Sequence, residues 1–313
     1  MHRVRRSRRL APALGTLLLV LVVGPAAQAP DPVRPTAPPP DPPAPGSRCL
    51  GCGVAPEPVA PDDDAGWRSI FDGRSLDGWD GNPAVWRVED GAITAETWPD
   101  RRVGTTFLIW RGGEPADFEL KLDIKADYDI HSGVFYRSTV GPTIARSGGP
   151  GPARGAGSAP GPGRTGATPA LGRATQAPFA VPADARWNVR GYGIDWDWDP
   201  GNNGNVQDVG TGRAEAQIGW RGYIVRTTAG ARPRALGTLG DREALMQVVR
   251  LGEWNQLHII AHGRQLTHLV NGHVMAILID DDPAGLKTKG VIALQIEQFG
   301  QGRVSFRNIR LKE

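Results

Sequence analysis

Cysteine is almost missing: the 313 residues contain only Cys49 and Cys52. Their CxxC spacing matches half of a zinc site, but no further Cys and no adjacent His complete it, and Gly53 stands where haem attachment needs His. A local disulfide formed in an oxidising compartment is the expectation, and no function follows from it. Lysine is scarce too, at five of the 36 basic residues, an imbalance that points to codon usage. Positive charge is scarcer than the net +3 suggests. Arg3, Arg5, Arg6, Arg8 and Arg9 lie within residues 1–29, which hold no acid, so the remainder carries 3 − 5 = −2. Phosphate binding needs clustered positive charge, which excludes nucleic acid as a partner. Long apolar runs are absent beyond residues 14–23, about half the ~20 residues that a membrane-spanning helix needs. No membrane span is expected in the mature chain.

What is present begins with a tripartite N-terminus. Basic residues from Arg3 to Arg9 precede the apolar run, and Ala27-Gln28-Ala29 supplies the small residues a signal peptidase requires. Residues 1–29 are expected to be a signal peptide cleaved after Ala29, which directs the chain to the periplasm or the outside. Residues 30–64 form a Pro-rich linker closed by Asp62-Asp63-Asp64, an extended segment that buries nothing. Residues 65–313 are long enough for one large all-β core.

Within them, Asp117 to Lys125 alternates strictly. Phe118, Leu120, Leu122 and Ile124 share one face and charged residues the other, which is the pattern of a half-buried antiparallel strand. Asp90-Gly91 and Asn271-Gly272 mark two-residue hairpin turns, because such pairs accept the positive φ angles that a type I′ turn demands. Further strands are expected at 104–110, 132–138, 190–197, 254–262, 290–297 and 303–311, and only Asp241 to Val249 looks helical. Many strands without interleaved helices imply a sandwich or barrel. One stretch differs: of the 40 residues 141–180, 10 are Gly, 7 Pro and 9 Ala. That composition buries no core, so a disordered insertion is expected at about 139–186, between two strands that pair.

A set of short motifs then accumulates in order. Trp67-Arg68-Ser69-Ile70-Phe71-Asp72-Gly73 and Leu76-Asp77-Gly78-Trp79 open the domain, and Trp86-Arg87-Val88-Glu89-Asp90-Gly91 follows. His131-Ser132-Gly133 with Phe135-Tyr136-Arg137, Gly191-Tyr192-Gly193-Ile194-Asp195, Glu253-Trp254-Asn255, Thr267-His268, Ile292-Ala293-Leu294-Gln295 and Phe306-Arg307-Asn308-Ile309 complete the series. In order and spacing the chain resembles the 3-keto-disaccharide hydrolase family, also described as 3-keto-glucoside lyases and hydratases, over residues 66–313 apart from the insertion. The resemblance implies a concanavalin A-like jelly-roll sandwich of two antiparallel sheets whose concave face binds sugar. His131 replaces the Asn usual in that family, Gly193 stands where many members carry Glu or Gln, and Glu297 stands where His is common.

Strand alternation places the candidate site independently of the resemblance. Leu294 and Ile296 point to the core, so Gln295 and Glu297 share the opposite face. Likewise Gly191, Gly193, Asp195 and Asp197 oppose Tyr192, Ile194 and Trp196. Neighbouring carboxylates can divide acid and base work, as sugar-cleaving sites do; the bland alternative is a solvated acidic strand end before the turn at 199–204. With the resemblance, Asp195, His268, Glu297 and Arg137 are the catalytic candidates: Asp195 or His268 as base, Arg137 as oxyanion donor and Glu297 as acid. His131, Tyr192, Trp220 and Gln295 are the substrate-binding candidates. A surface or hydrogen-bonded role competes for each His, and a structural salt bridge for Arg137.

The implied activity is cleavage of 3-keto-glycosides. A divalent metal ion polarising the ketone, held by His and carboxylate ligands, is compatible with that chemistry. The rival is a non-catalytic carbohydrate-binding module on the same fold, and a stalked envelope protein is a third reading. The partner expected in the first two cases is a carbohydrate.

Overall fold

The computed structural model describes residues 65–127, 129–142, 180–198 and 201–313. The expected signal peptide, linker and Cys49–Cys52 bridge, and the interior of the insertion, lie outside the described residues.

The described residues form seventeen strands in chain order. The first nine are β1 (Arg68–Ser69), β2 (Trp79–Asp80), β3 (Arg87–Glu89), β4 (Ala92–Thr97), β5 (Thr106–Trp110), β6 (Phe118–Asp127), β7 (Ile130–Val140), β8 (Val189–Asp197) and β9 (Val206–Val209). The remainder are β10 (Gln217–Gly219), β11 (Tyr223–Thr228), β12 (Arg234–Thr238), β13 (Asn255–His262), β14 (Gln265–Val270), β15 (His273–Asp281), β16 (Val291–Gly300) and β17 (Gly302–Lys312). They make a two-layer jelly-roll sandwich. The larger sheet runs β12-β11-β15-β14-β13-β6-β17-β4-β3, with β1 also on β17, and the smaller runs β10-β9-β8-β7-β16-β5-β2. Pairing is antiparallel except between β11 and β15, which run parallel.

Local chemistry explains the elements. The two-residue turn at Asp90-Gly91 has φ of 50° and 76°, and the one at Asn271-Gly272 has 49° and 79°, so both hairpins take the left-handed backbone their sequences favour. Each strand expected from the sequence is present, with ends moved by a few residues. The helical stretch shrinks to α1 (Arg242–Met246), where the Asp241 carboxylate caps the amide of Glu243 at 2.7 Å. Strands β7 and β8 pair on either side of the insertion, as far out as Val140 and Val189.

The main core lies between the sheets. Leu120, Leu122, Ile124, Leu257, Ile259 and Phe306 of the larger sheet meet Tyr136, Tyr192, Ile194, Trp196, Leu294 and Ile296 of the smaller. Burying each of the aliphatic and Phe side chains contributes about 1.5–3 kcal/mol. A second apolar cluster of Phe107, Ile109, Phe135, Val189, Val291 and Ala293 includes residues of four adjacent strands of the smaller sheet, β5, β16, β7 and β8. These residues share the face opposite the main core. The smaller sheet is therefore buried on both faces in its middle. This explains why β5 and β16 read as near-continuous apolar runs while β6, covered on one face, alternates.

Candidate functional site

Strand register brings polar side chains together on the face of the smaller sheet that points away from the main core. Phe107, Gln295, Gly133 and Asp195 lie directly across β5, β16, β7 and β8. Directly paired residues share a face, so Gln295 and Asp195 flank Gly133. The next row on the same face runs Ile109, Ala293, Phe135, Gly193 and Gln207. On the other side of the Asp195 row, His131 pairs with Asp197, and Glu297 approaches from β16.

The two glycines make room in this face. A Cβ on Gly133 would lie 2.7 Å from the Ile194 carbonyl oxygen and 3.3 Å from Gln295 Oε1, so the Gln295 amide extends over the position a side chain would fill. A Cβ on Gly193 would press the Phe135 ring at 3.1 Å. Asp195, Asp197, Gln207, Gln295 and Glu297 are all buried, and only His131 of this group keeps substantial exposure. The structure places these carboxylates within the fold.

The best-defined contact is between His131 and Asp197. His131 Nδ1 is 2.9 Å from Asp197 Oδ1. Asp197 Oδ2 accepts a hydrogen bond from Asn202 Nδ2 at 3.1 Å. The Asn203 side chain clasps the Asp197 backbone, accepting from its amide at 2.6 Å and donating to its carbonyl at 2.9 Å. The turn after β8, read from sequence as a solvated strand end, thus fixes Asp197. The hydrogen bond to Asp197 raises the His131 pKa; burial works against it, and the charges of Asp197, Glu297 and Asp129 add to the rise.

Four expected site residues lie elsewhere. Arg137 sits at a break in register between Tyr136 and Thr139, with φ of 44°, and its side chain is fully buried. Its guanidinium donates to the Ala116 and Gly263 carbonyls at 2.7 Å each, to the Lys287 carbonyl at 3.3 Å and to Asp117 at 3.0 Å. It braces loops instead of facing the Asp195 row, which corrects its assignment as oxyanion donor. His268 lies in the main core, fully buried. It is 2.8 Å from the Tyr136 hydroxyl, and its Nδ1 is 3.2 Å from the Gly204 carbonyl. Burial drives its pKa down to about 4, and it is not placed to be the base. Tyr192 also faces the core and donates to Asp280. Trp220 packs against the core cluster from a loop. Neither lies on the Asp195 row, and Tyr192, fully buried in the core, is corrected as a substrate contact. Asp195, Gln295, Glu297 and His131 are the expected residues that the structure brings to one face.

Sequence reading missed Gln207, Asn202 and Asn203, which belong to the same polar face or brace it. It also missed a buried charge network. Arg213 approaches Asp208 at 2.8 Å and Asp280 at 2.6 Å, Lys287 Nζ donates to Asp208 at 2.8 Å, and Thr227 donates to Asp280 at 2.6 Å. Burial opposes the Asp280 charge, but these hydrogen bonds and Arg213 outweigh it and hold the carboxyl below its ordinary value. Arg213 and Lys287 line a cavity of about 740 Å³ at this end of the sandwich, and none of the expected site residues line it. The signal for such a network is a set of charges far apart in sequence, which spacing alone does not connect. Among the described residues no group of three or more His, Cys, Asp and Glu could hold a metal ion, and none of their helices is long and apolar enough to cross a membrane.

The family model for the 3-keto-alpha-glucoside-1,2-lyase-like domain matches residues 66–312. No curated protein matches the chain. Among solved structures, the chain is similar to a provisionally named glycosyl hydrolase from Parabacteroides distasonis ATCC 8503. The identity is 21% and the TM-score 0.44, over 79% of this chain and 98% of that one. The carbohydrate binding module CBM66 from Bacillus subtilis is similar at 12% identity and a TM-score of 0.40, over 75% of this chain and 96% of the other. A Bacillus subtilis protein of unknown function with a galectin-like fold matches at 10% identity and a TM-score of 0.41, over 76% and 90%.

Proposed function

The chain belongs to the 3-keto-alpha-glucoside-1,2-lyase-like family, and on that premise we propose that it is an exported enzyme cleaving the glycosidic bond of 3-keto-glycosides by elimination, with hydration of the product to follow. The observation that carries this reading is the placement of Asp195 and Gln295 on either side of Gly133, on one face of one sheet. The export part rests on the N-terminal pattern of basic, apolar and small residues.

A ketone at C3 acidifies the hydrogen on C2. In the proposed reaction the Asp195 carboxylate takes that proton, and the electron pair of the C2–H bond moves to the C3 oxygen as an enolate. A Gln295 N–H donates to that oxygen, the task first expected of Arg137. The pair then returns to form the C1=C2 bond and expels the C1 oxygen as the aglycone alcohol. Its proton comes from the end of the face where Glu297 and His131 stand. Asp195 and Glu297 are two strands apart and two residues along. With strands ~4.8 Å apart and ~3.4 Å per residue, their Cα atoms lie about 12 Å apart. Phe107 in the same row and Phe135 in the next are fully buried and pack edge-on with centroids 5.1 Å apart beneath the polar groups.

The test is to incubate purified mature protein with 3-keto-glucosides, with and without a chelator, and to follow free aglycone. Turnover by the wild type is expected. Asp195→Asn keeps size and hydrogen bonding but removes the base, so turnover should be lost while binding is nearly unchanged. Sugar binding with no cleavage under any metal condition would overturn the enzyme and leave a carbohydrate-binding module.

A further inference from the structure

We infer that His131, held by Asp197 and Asn202, is the group that protonates the departing glycosidic oxygen, an inference that rests on the elimination reading above. The geometry defines a dyad with a brace behind it. Both carboxylate oxygens of Asp197 are engaged, Oδ1 with His131 and Oδ2 with Asn202. The Asn203 side chain fixes the Asp197 backbone on both its amide and its carbonyl. The carboxylate therefore has one orientation, and it sets the ring of His131 with Nδ1–H directed at Oδ1. Nε2 is the ring nitrogen not committed to this bond. The Asp197 side chain is 7% exposed and that of His131 34%, so the carboxylate lies inside and the imidazole stands at the exposed edge of the face.

Position suits the role. His131 is two residues from Gly133 on β7, as Asp197 is from Asp195 on β8, and the pairs lie on the same face. Two residues of strand separate them by about 6.8 Å. The bond broken at C2 and the bond broken at C1 lie on adjacent ring carbons, so a base and an acid at that separation can flank the C1–C2 edge of one sugar. Charge suits it as well. The carboxylates of Asp197 on β8, Glu297 on β16 and Asp129 in the turn before β7 all act on the imidazole, and the ring of Phe299 meets it edge-on with centroids 6.5 Å apart. Three acids around one imidazole favour the protonated ring, which has a proton to give.

The proton count closes. As the C1–O bond breaks, Nε2–H transfers its proton to the leaving oxygen and His131 becomes neutral, while Asp195 holds the proton from C2. Exchange of one proton with water at each residue restores the starting state.

The experiment compares two 3-keto-glucosides, one with a nitrophenolate aglycone that leaves unassisted and one with a simple alkyl alcohol that needs a proton. General acids contribute 10²–10⁴-fold. His131→Asn should therefore lower kcat on the alkyl substrate by about 10²-fold or more and on the nitrophenyl substrate by less than about 5-fold. The alkaline limb of the wild-type kcat profile on the alkyl substrate should move to lower pH in Asp197→Asn, because the imidazolium loses its counter-charge. Equal losses on both aglycones, or an unmoved alkaline limb in Asp197→Asn, would overturn the assignment of His131 while leaving the elimination reading intact. Failure of the wild type to release either aglycone would overturn both. Thermal melts of each variant confirm that the comparison is between folded proteins.

Discussion

Tyr136 and His268 join the two sheets through the middle of the core: the tyrosine hydroxyl is 2.8 Å from His268 Nε2. The other ring nitrogen faces the Gly204 carbonyl at 3.2 Å, which can only accept, so Nδ1 carries the proton and Tyr136 donates to Nε2. The histidine is neutral, and the acid required to charge it is strong.

This arrangement makes stability depend on pH in a stated direction. The unfolded chain takes up a proton on this histidine near 6.5, while the folded chain does so only near 4. Between those values the unfolded state binds more protons, so stability falls as pH falls from 6.5 and the loss levels off below about 4. At 1.36 kcal/mol per pH unit the loss is of order 3 kcal/mol. Urea denaturation at several pH values should show it, and His268→Gln should flatten the curve in that window. Tyr136→Phe leaves Nε2 buried without its donor and should cost about 1–3 kcal/mol at neutral pH.

Arg137 should matter for folding and not for substrate. Arg137→Lys keeps a positive charge but loses the planar fork that serves three carbonyls and Asp117, leaving buried acceptors unpaired. A loss of about 2–4 kcal/mol in denaturant unfolding is expected, with kcat and KM of the folded fraction close to those of the wild type. A kcat reduced a hundredfold at unchanged stability would restore Arg137 as an oxyanion donor.

Gly133 is the position where stability and activity should fail together. Gly133→Ala places a methyl group 2.7 Å from the Ile194 carbonyl, a backbone atom that cannot swing aside, and 3.3 Å from the Gln295 amide. The strands β7 and β8 must part locally, at a cost of about 1–3 kcal/mol. The same methyl group intrudes between Asp195 and Gln295, so aglycone release should fall more steeply than the folded fraction does. Equal declines in both would separate this glycine from the site.

The sequence carried the faces of the strands better than it carried the roles of single residues. Alternation placed Gln295 and Glu297 together, and Asp195 with Asp197, because period-two geometry holds wherever register is unbroken. Arg137, assigned through the motif match, lies where the register shifts between Tyr136 and Thr139, and one irregular residue is enough to redirect a side chain. For His268 the signal was present: it shares parity with Leu266 and Val270, both buried in the core. The motif match outweighed that parity. Tyr192 had the same sign against it, alternating with Gly193 and Asp195 and in step with Ile194 and Trp196. The short strands β9 to β12 were not legible, because three to six residues offer too few alternations to distinguish from a loop.

The smaller sheet has apolar clusters on both faces, and this has a consequence for how the protein loses its shape. Amide protons exchange with solvent through openings, and segments packed on two sides open only when much else has already given way. Backbone amides in the middle of β7 and β16 should therefore exchange at the rate of global unfolding, while those of β11 and β12 at the rim exchange through local fraying. The platform beneath Asp195 and Gln295 would then be among the last parts to come undone, so that activity and cooperative structure vanish at the same temperature.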